Sequence, residues 1–571
     1  MSTSVADEIA AVPAAAGCRR MYARTEQALS PVPEALQQRE ELRCIGMQSD
    51  EGAAFAAAGE AQLTGQLTLC CGSGGWGNWQ MCGGLYEAHY SASPLVALAP
   101  HVPASTMGSR YFQESRPEWG LRDCTSYCEM AYEPGQAVRS VAEAIRVACS
   151  QRTTAAVVLP SDVMNCPASC ETEFPYFPSM SARATAEPSM SEVARLAELL
   201  NRSRKVVFLC GRGCEGAHDI LTELAQRLCA PIAYTLRGKD IMEKDNPCAV
   251  GMIGLLGWGD APAAVQVADL LVLWGTDFPY GCFLPEHGQV AQVDIDGAAP
   301  GRRVRLCHAV QGDVARTASL LLPLLRGHRS DEFLARSLMR HGKALVALER
   351  SLREQDERAP IRPEYLTRIL SSHAEPDAVF TIDIGPPVIW AARYLQAFGK
   401  RRLIGSFKYG ATGCALAMAI GCKAASPSRQ VIALCAAESF NRQLGELLTL
   451  AREGLSVKVV VYNVSSPHVV NMPGSASSSV VADLTMVARG LGIEAERAEQ
   501  VGGVMAAVRR CLAAQGPFLL DVQLDRHALA QPPGSDLLRT IRHLSDKESC
   551  NSRCELDTVK RLLFGNSHFY S

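Results

Sequence analysis

Short apolar runs alternate with helix-patterned stretches along almost the whole chain. LTLCCGSGG, SPLVALAP, AAVVLPSD, KVVFLCGRG, DLLVLWGTD, VAQVDID, AVFTIDIG, RQVIALCAA, VKVVVYN and FLLDVQLD are brief, often β-branched, and run into Gly, Asp, Ser or Asn. Apolar runs without polar alternation, separated by helical patterns, predict parallel sheets covered on both faces. In such sheets the loops at the carboxyl ends of the strands carry the ligands. Pro, Ser and charge accumulate near 166–190 and 325–365, which marks off three α/β blocks of similar size. After about residue 530 the pattern becomes a charged, helix-prone tail.

Composition narrows the function classes. Of 571 residues, 47% are hydrophobic and 20% charged, which excludes a largely disordered chain. The net charge of -3 gives nucleic-acid binding no electrostatic support. No apolar run reaches the roughly 18 residues of a membrane span. The start, MSTSVADEIAAV, carries Asp7 and Glu8 and no basic region, so no secretory signal is expected. Of the 22 cysteines, Cys70, Cys71, Cys210 and Cys435 sit inside apolar runs, where they read as small core hydrophobes. Four CxxxC pairs occur (Cys124/Cys128, Cys166/Cys170, Cys210/Cys214, Cys550/Cys554), but neither CxxC knuckles combined with further ligands nor HExxH. Unpaired thiols in a cytoplasmic protein are the expectation.

The central block carries the first chemical motif. KVVFLCGRGCEGAHDILTEL reads as a strand, then Gly211-x-Gly213-x-x-Gly216, then a helix. Glycines there allow a tight turn and close approach of backbone to a pyrophosphate at a helix N-terminus. TLRGKD (235–240), GMIG (251–254), WGTDFPY (274–280) and VDID (293–296) also fall at strand ends or glycine turns. Asp294 or Asp296 after a strand suits a ribose hydroxyl, so a nucleotide cofactor is favoured.

These stretches, with EGAAFAAAGEAQLTGQL (51–67), HVPASTMGSRYFQES (101–115), NPCAVGMIGLLG (246–257) and TIDIGPPVIWAARYL (381–395), resemble the thiamine-diphosphate-dependent 2-oxo-acid enzymes. The similarity is to the pyruvate oxidase and quinone-dependent pyruvate dehydrogenase branch, which is acetolactate-synthase-like. It implies an α/β fold of three doubly wound parallel-sheet domains. These are a pyrimidine-binding-type domain over 1–182, a central FAD-binding domain over 183–345 and a diphosphate-binding-type domain over 346–530, with a helical tail over 531–571. It also implies a homodimer or homotetramer with the thiamine site built between two chains.

The resemblance breaks at the thiamine chemistry. The family's magnesium-binding Asp and Asn fall on Ala437 and Val464, neither of which has a side-chain oxygen for a hard cation. The family's His-Glu falls on Ser49 and Asp50, and Asp reaches about 1.5 Å less than Glu. Glu26 replaces a glycine, Thr412 the hydrophobic wedge, and Gly75-Trp76-Gly77 the Gly-Pro-Gly loop. One-residue slips onto Glu51, Glu438, Asn463 or Ser465 would turn the side chains elsewhere. The flavin side is kept. The resemblance implies FAD contacts from Gly211, Arg212, Gly213, Thr235, Leu236, Arg237, Gly251, Met252, Ile253, Gly254, Gly275, Thr276, Asp277, Phe278, Asp294, Asp296, Gly312 and Asp313.

The expected activity is thus an FAD-dependent oxidoreductase on a small molecule, using flavin redox or oxygen chemistry without thiamine diphosphate or magnesium. A cavity near Asp50, Phe112, Gln113 and His468 would take the substrate, with Asp50, Phe112 and Gln113 as the catalytic candidates. No histidine is singled out as a base. Two alternatives stand beside this reading: a silent subunit, and a thiamine-dependent oxidase or decarboxylase with rearranged ligands. The basic amphipathic tail, SDLLRTIRHL and LDTVKRLLF, offers packing or peripheral membrane contact.

Overall fold

The computed structural model describes residues 4–24, 29–37, 41–168, 186–327, 330–353, 360–464 and 482–525. The tail, His468, Glu26 and Ser465 lie outside them. Three sheets form. The first has β1 (Arg20–Arg24), β2 (Arg43–Met47), β3 (Thr68–Cys71), β4 (Leu95–His101), β5 (Tyr127–Met130) and β6 (Thr154–Pro160), ordered β2-β1-β3-β4-β6-β5. The second has β7 (Val206–Cys210), β8 (Ile232–Tyr234), β9 (Ala249–Met252), β10 (Trp258–Gly259), β11 (Leu270–Trp274), β12 (Gln289–Asp294) and β13 (His308–Gln311), ordered β10-β9-β8-β7-β11-β12-β13. The third has β14 (Val379–Ile382), β15 (Arg402–Ile404), β16 (Val431–Ala436), β17 (Val457–Asn463), β18 (Glu494–Ala498) and β19 (Phe518–Gln523), ordered β15-β14-β16-β17-β19-β18. Every pair is parallel except β9 with β10. The first and third sheets share one topology.

The described residues fall into two compact units. One holds the first and third sheets, and the other holds the second. In the first unit β4, β6, β16 and β17 are buried along their whole length, as central strands covered on both faces must be. The helix Asp50–Thr64 is apolar almost all round, so it belongs inside. Ser49 caps its start by accepting the Gly52 N–H at 2.9 Å, and Gly65, at φ 69°, ends it. Its small residues let backbones meet. A Cβ on Gly421, in the helix Ala415–Ala425, would sit 1.9 Å from the Ala56 carbonyl oxygen, and one on Gly59 would sit 2.6 Å from that of Met418. Around this crossing Phe55, Ile420 and Val459 are buried, each worth about 1.5–3 kcal/mol on transfer from water. Among the described residues every cysteine is a free thiol. No described helix is long and apolar enough to cross a membrane.

Candidate active site

In the first unit two strand-end regions carry the chemistry. Asp50 opens the helix Asp50–Thr64 and is fully buried. Its carboxylate accepts the Ser73 N–H at 2.7 Å and the Ser73 Oγ–H at 2.8 Å. Burial pushes the Asp50 carboxyl up, against those bonds and the Arg24 charge, which pull it down. The turn after β3 wraps this group: a Cβ on Gly77 would lie 2.6 Å from Asp50 Oδ2, and one on Gly75 (φ 48°) would lie 3.0 Å from Gln113. The turn therefore joins Asp50 to Gln113. Gln113 itself has φ 66°, held by Glu114, whose carboxylate accepts the N–H groups of Gly108 and Tyr111. Phe112 is not drawn in; it is 80% exposed.

Behind Asp50 lies a carboxylate that the sequence did not announce. Glu446 accepts from the Gln48 N–H, the Ser49 N–H and the Ser49 Oγ–H at 2.9–3.2 Å, and from the Thr449 hydroxyl at 2.8 Å. It fixes the approach to Asp50 and is itself pushed up by burial. Its only sequence trace is a Glu inside GELLTL, indistinguishable from a helix-surface residue. Ser73 was equally silent, one Ser within a glycine-rich turn.

The second region is the carboxyl edge of β14, β16 and β17. Asp383, just past β14, is 1% exposed. Its Oδ1 accepts the Ala415 N–H at 2.8 Å, and its Oδ2 accepts the Ala436 N–H and the Ser439 hydroxyl at 3.2 Å. Burial lifts this carboxyl to about 6. Ala437 opens the short helix Ala437–Phe440 after β16, and Val464 follows β17. The neighbours do not stand in for the missing oxygens. Asn463 donates from Nδ2 to Asp521 at 2.8 Å, and Asp521 is paired with Arg497 at 2.9 Å. Glu51 is paired with Arg442 at 2.7 Å. Glu438 is exposed, with its carboxyl pushed up by partial burial. Among the described residues no group of three or more His, Cys, Asp or Glu is arranged to hold a metal ion. The residues at the positions that the resemblance gives to magnesium do not fit a magnesium-bound diphosphate.

Of the described histidines near these regions, His89 is held by a hydrogen bond, whereas the buried His101 Nδ1 has no hydrogen-bond partner among the described residues. His89 Nδ1 bonds Thr153 Oγ1 at 2.9 Å. His101, 2% exposed at the end of β4, is pushed down by burial.

In the second unit the nucleotide-type residues gather along one sheet edge. Gly211 to Gly213 follow β7, Thr235 to Arg237 follow β8, Met252 to Gly254 close β9, Gly275 to Phe278 follow β11, and Asp294 ends β12 with Asp296 two residues on. Gly251 lies within β9 at φ 111°. The glycines do a different job from the expected one. Gly211 donates to the Trp274 carbonyl and Gly213 to that of Gly275, so neither N–H is left for a pyrophosphate. A Cβ on Gly213 would lie 2.6 Å from Gly275 Cα, so the glycines let two strand-end loops touch. Arg212, paired with Glu215 at 3.7 Å, and Arg237 bring positive charge to the turns after β7 and β8. Asp277 and Asp296 flank Arg302 at 3.9 and 3.7 Å, and burial pushes Asp294 up. Asp313 caps the helix Val314–Leu321 by accepting the Arg316 N–H at 2.9 Å, and Gly312 lies against Pro188.

Three parallel α/β sheets, two of them topological copies, with charged and glycine-rich turns at carboxyl edges, define a cofactor-type α/β protein. The comparisons name its family. The chain matches the family models for the thiamine pyrophosphate enzyme N-terminal TPP binding domain over 3–118, the central domain over 193–321 and the C-terminal TPP binding domain over 383–522. It belongs to the thiamine pyrophosphate enzyme family. It is 40% identical over 349 residues to an uncharacterized 42.6 kDa protein in an isoamylase 3′ region of Pseudomonas amyloderamosa, covering 61% of this chain and 88% of that one. It is 28% identical over 554 residues to the acetolactate synthase isozyme 2 large subunit of Escherichia coli (strain K12), covering 93% and 98%. Acetolactate synthase of Arthrospira platensis is 27% identical over 532 residues, covering 87% and 90%.

Proposed function

We propose that this chain is a flavin-dependent member of the family that passes electrons between FAD and a small molecule without a magnesium-bound thiamine diphosphate. The reading is carried by one observation. Residues from five strand ends, Gly211 through Asp296, converge on a single carboxyl edge, where parallel α/β sheets take nucleotides. There Arg212 and Arg237 would face the diphosphate, Asp294 or Asp296 a ribose hydroxyl, and Gly254 beside the Phe278 ring the flat part of the cofactor. Bound FAD would supply hydride or single-electron transfer. The carboxylates and guanidiniums would orient it.

A second reading is thiamine-dependent turnover, which the matched TPP binding domains suggest, with acetolactate synthesis the activity that two relatives' names give. It is favoured by Asp50, a buried carboxyl with raised affinity for its proton, at the position that the resemblance gives to the family's Glu. Flavin absorbance and thiamine content of one purified sample separate the two. The first reading expects FAD bound, no thiamine, and loss of flavin on Arg237→Ala with Asp294→Ala. A protein that takes up no FAD overturns it. Thiamine diphosphate in the sample, with activity abolished by Asp50→Ala, establishes the second.

A further inference from the structure

At the amino-terminal ends of the third sheet's strands, opposite Asp383, lies a cleft of about 600 Å³. The segments that lead into β14, β16, β17 and β19 line it. That volume is within the range of small-molecule sites. Lys423, Arg429 and Lys458 converge there. Lys458 is 3% exposed and gives its three protons to Ser456 Oγ at 2.8 Å and to the Ala514 and Gly516 carbonyls at 2.6 Å. Lys423 gives two, to the Pro427 and Arg429 carbonyls at 2.8 and 2.7 Å. Arg429 Nε donates to the Asp377 carbonyl at 2.7 Å.

These partners are neutral. Among the described residues neither lysine has a carboxylate within ion-pair distance. Glu375 and Asp377 line the same cleft, and the Asp377 charge favours the Arg429 cation, while on the lysine side Glu494 favours the Lys458 cation from beyond ion-pair distance. Burial pulls all three cations toward neutrality, Lys458 to about 8, and Lys423 adds repulsion. The C-terminal dipole of the helix Ala415–Ala425 offsets part of the Lys423 charge but leaves that of Lys458. A partly buried cation pair with no carboxylate in contact is costly, and a bound anion would lower the cost.

We propose that this cleft binds a small oxyanion, the phosphate or carboxylate group of a metabolite, through Lys423, Ser428 and Arg429. Lys458, whose protons are all committed, contributes charge rather than contact. The site lies at the opposite strand ends from the family's cofactor edge and is independent of the flavin reading.

Calorimetry on the full chain at fixed ionic strength, with inorganic phosphate and separately with succinate, tests it. Saturable binding of at least one is expected, and which one binds identifies the oxyanion. Lys423→Gln and Arg429→Gln should each weaken it roughly tenfold, and Lys423→Arg should keep it. On the wild-type chain, amide hydrogen exchange should slow in 427–430 and 454–456 when the anion is added, which needs no variant to fold. No saturable binding of either anion overturns the proposal. So does affinity unchanged in both Gln variants, or protection confined to other segments.

Discussion

Asp383 is bonded by two main-chain N–H groups and one hydroxyl, yet its carboxyl sits near 6, because complete burial outweighs those bonds. The linkage has a definite sign. A folded value about 2 units above 3.8 means the folded chain holds this proton more tightly. The stability it contributes, on the order of 3 kcal/mol, is fully present below about pH 3.8 and is lost as pH rises through about 6. Asp383→Asn should flatten the urea-denaturation stability profile across that window. At pH 7 the amide NH2 of this variant must face one of the donors on Asp383, a cost of roughly 1–3 kcal/mol that offsets the relief from removing the buried charge. At this scale sequence was a partial guide. Asp50 was legible through the resemblance, which lays the family's Glu on it, and its ties to Ser73 and Gln113 were not. Side-chain bonds across 23 residues, as from Ser73 to Asp50, leave no local pattern.

Elements were read best where both faces are buried. The apolar runs correspond to β3, β4, β6, β7, β11, β12, β14, β16, β17 and β19. The six sheet edges, β2, β5, β10, β13, β15 and β18, were not foreseen. An edge strand has one neighbour and tolerates polar residues, as EAERA in β18 shows, so apolarity does not mark it. Helix packing sets another limit. Gly421 and Gly59 carry the propensity cost of glycine inside a helix, yet each is the point where two helices touch. Gly421→Ala should cost about 1–3 kcal/mol, or more if the helices cannot part. Gly503→Ala, in the helix Val501–Ala513 with nothing within 4 Å of the new Cβ, should gain about 0.4–1 kcal/mol. Chemical denaturation of the two variants beside wild type checks both signs.

For the whole molecule, the missing oxygens make a sharp comparison. Ala437→Asp with Val464→Asn restores two oxygen ligands at the ends of β16 and β17. Magnesium-dependent binding of thiamine diphosphate, followed by calorimetry with and without the metal, should appear in the double variant and be absent from wild type. Magnesium-dependent binding already present in the wild-type chain would refute the argument from these positions. The sequence by itself determined the α/β class, the three sheets and the family, because burial of central strands and the order of motifs are written locally along the chain. It also put alanine and valine where the resemblance places the family's metal ligands, and neither side chain carries an oxygen in any fold. Only the tertiary structure decided that the first and third sheets share one unit, that Gly211 and Gly213 spend their N–H groups on a neighbouring loop, and that three cations converge on one cleft. Those outcomes depend on which distant backbones meet, and spacing along the chain does not encode that.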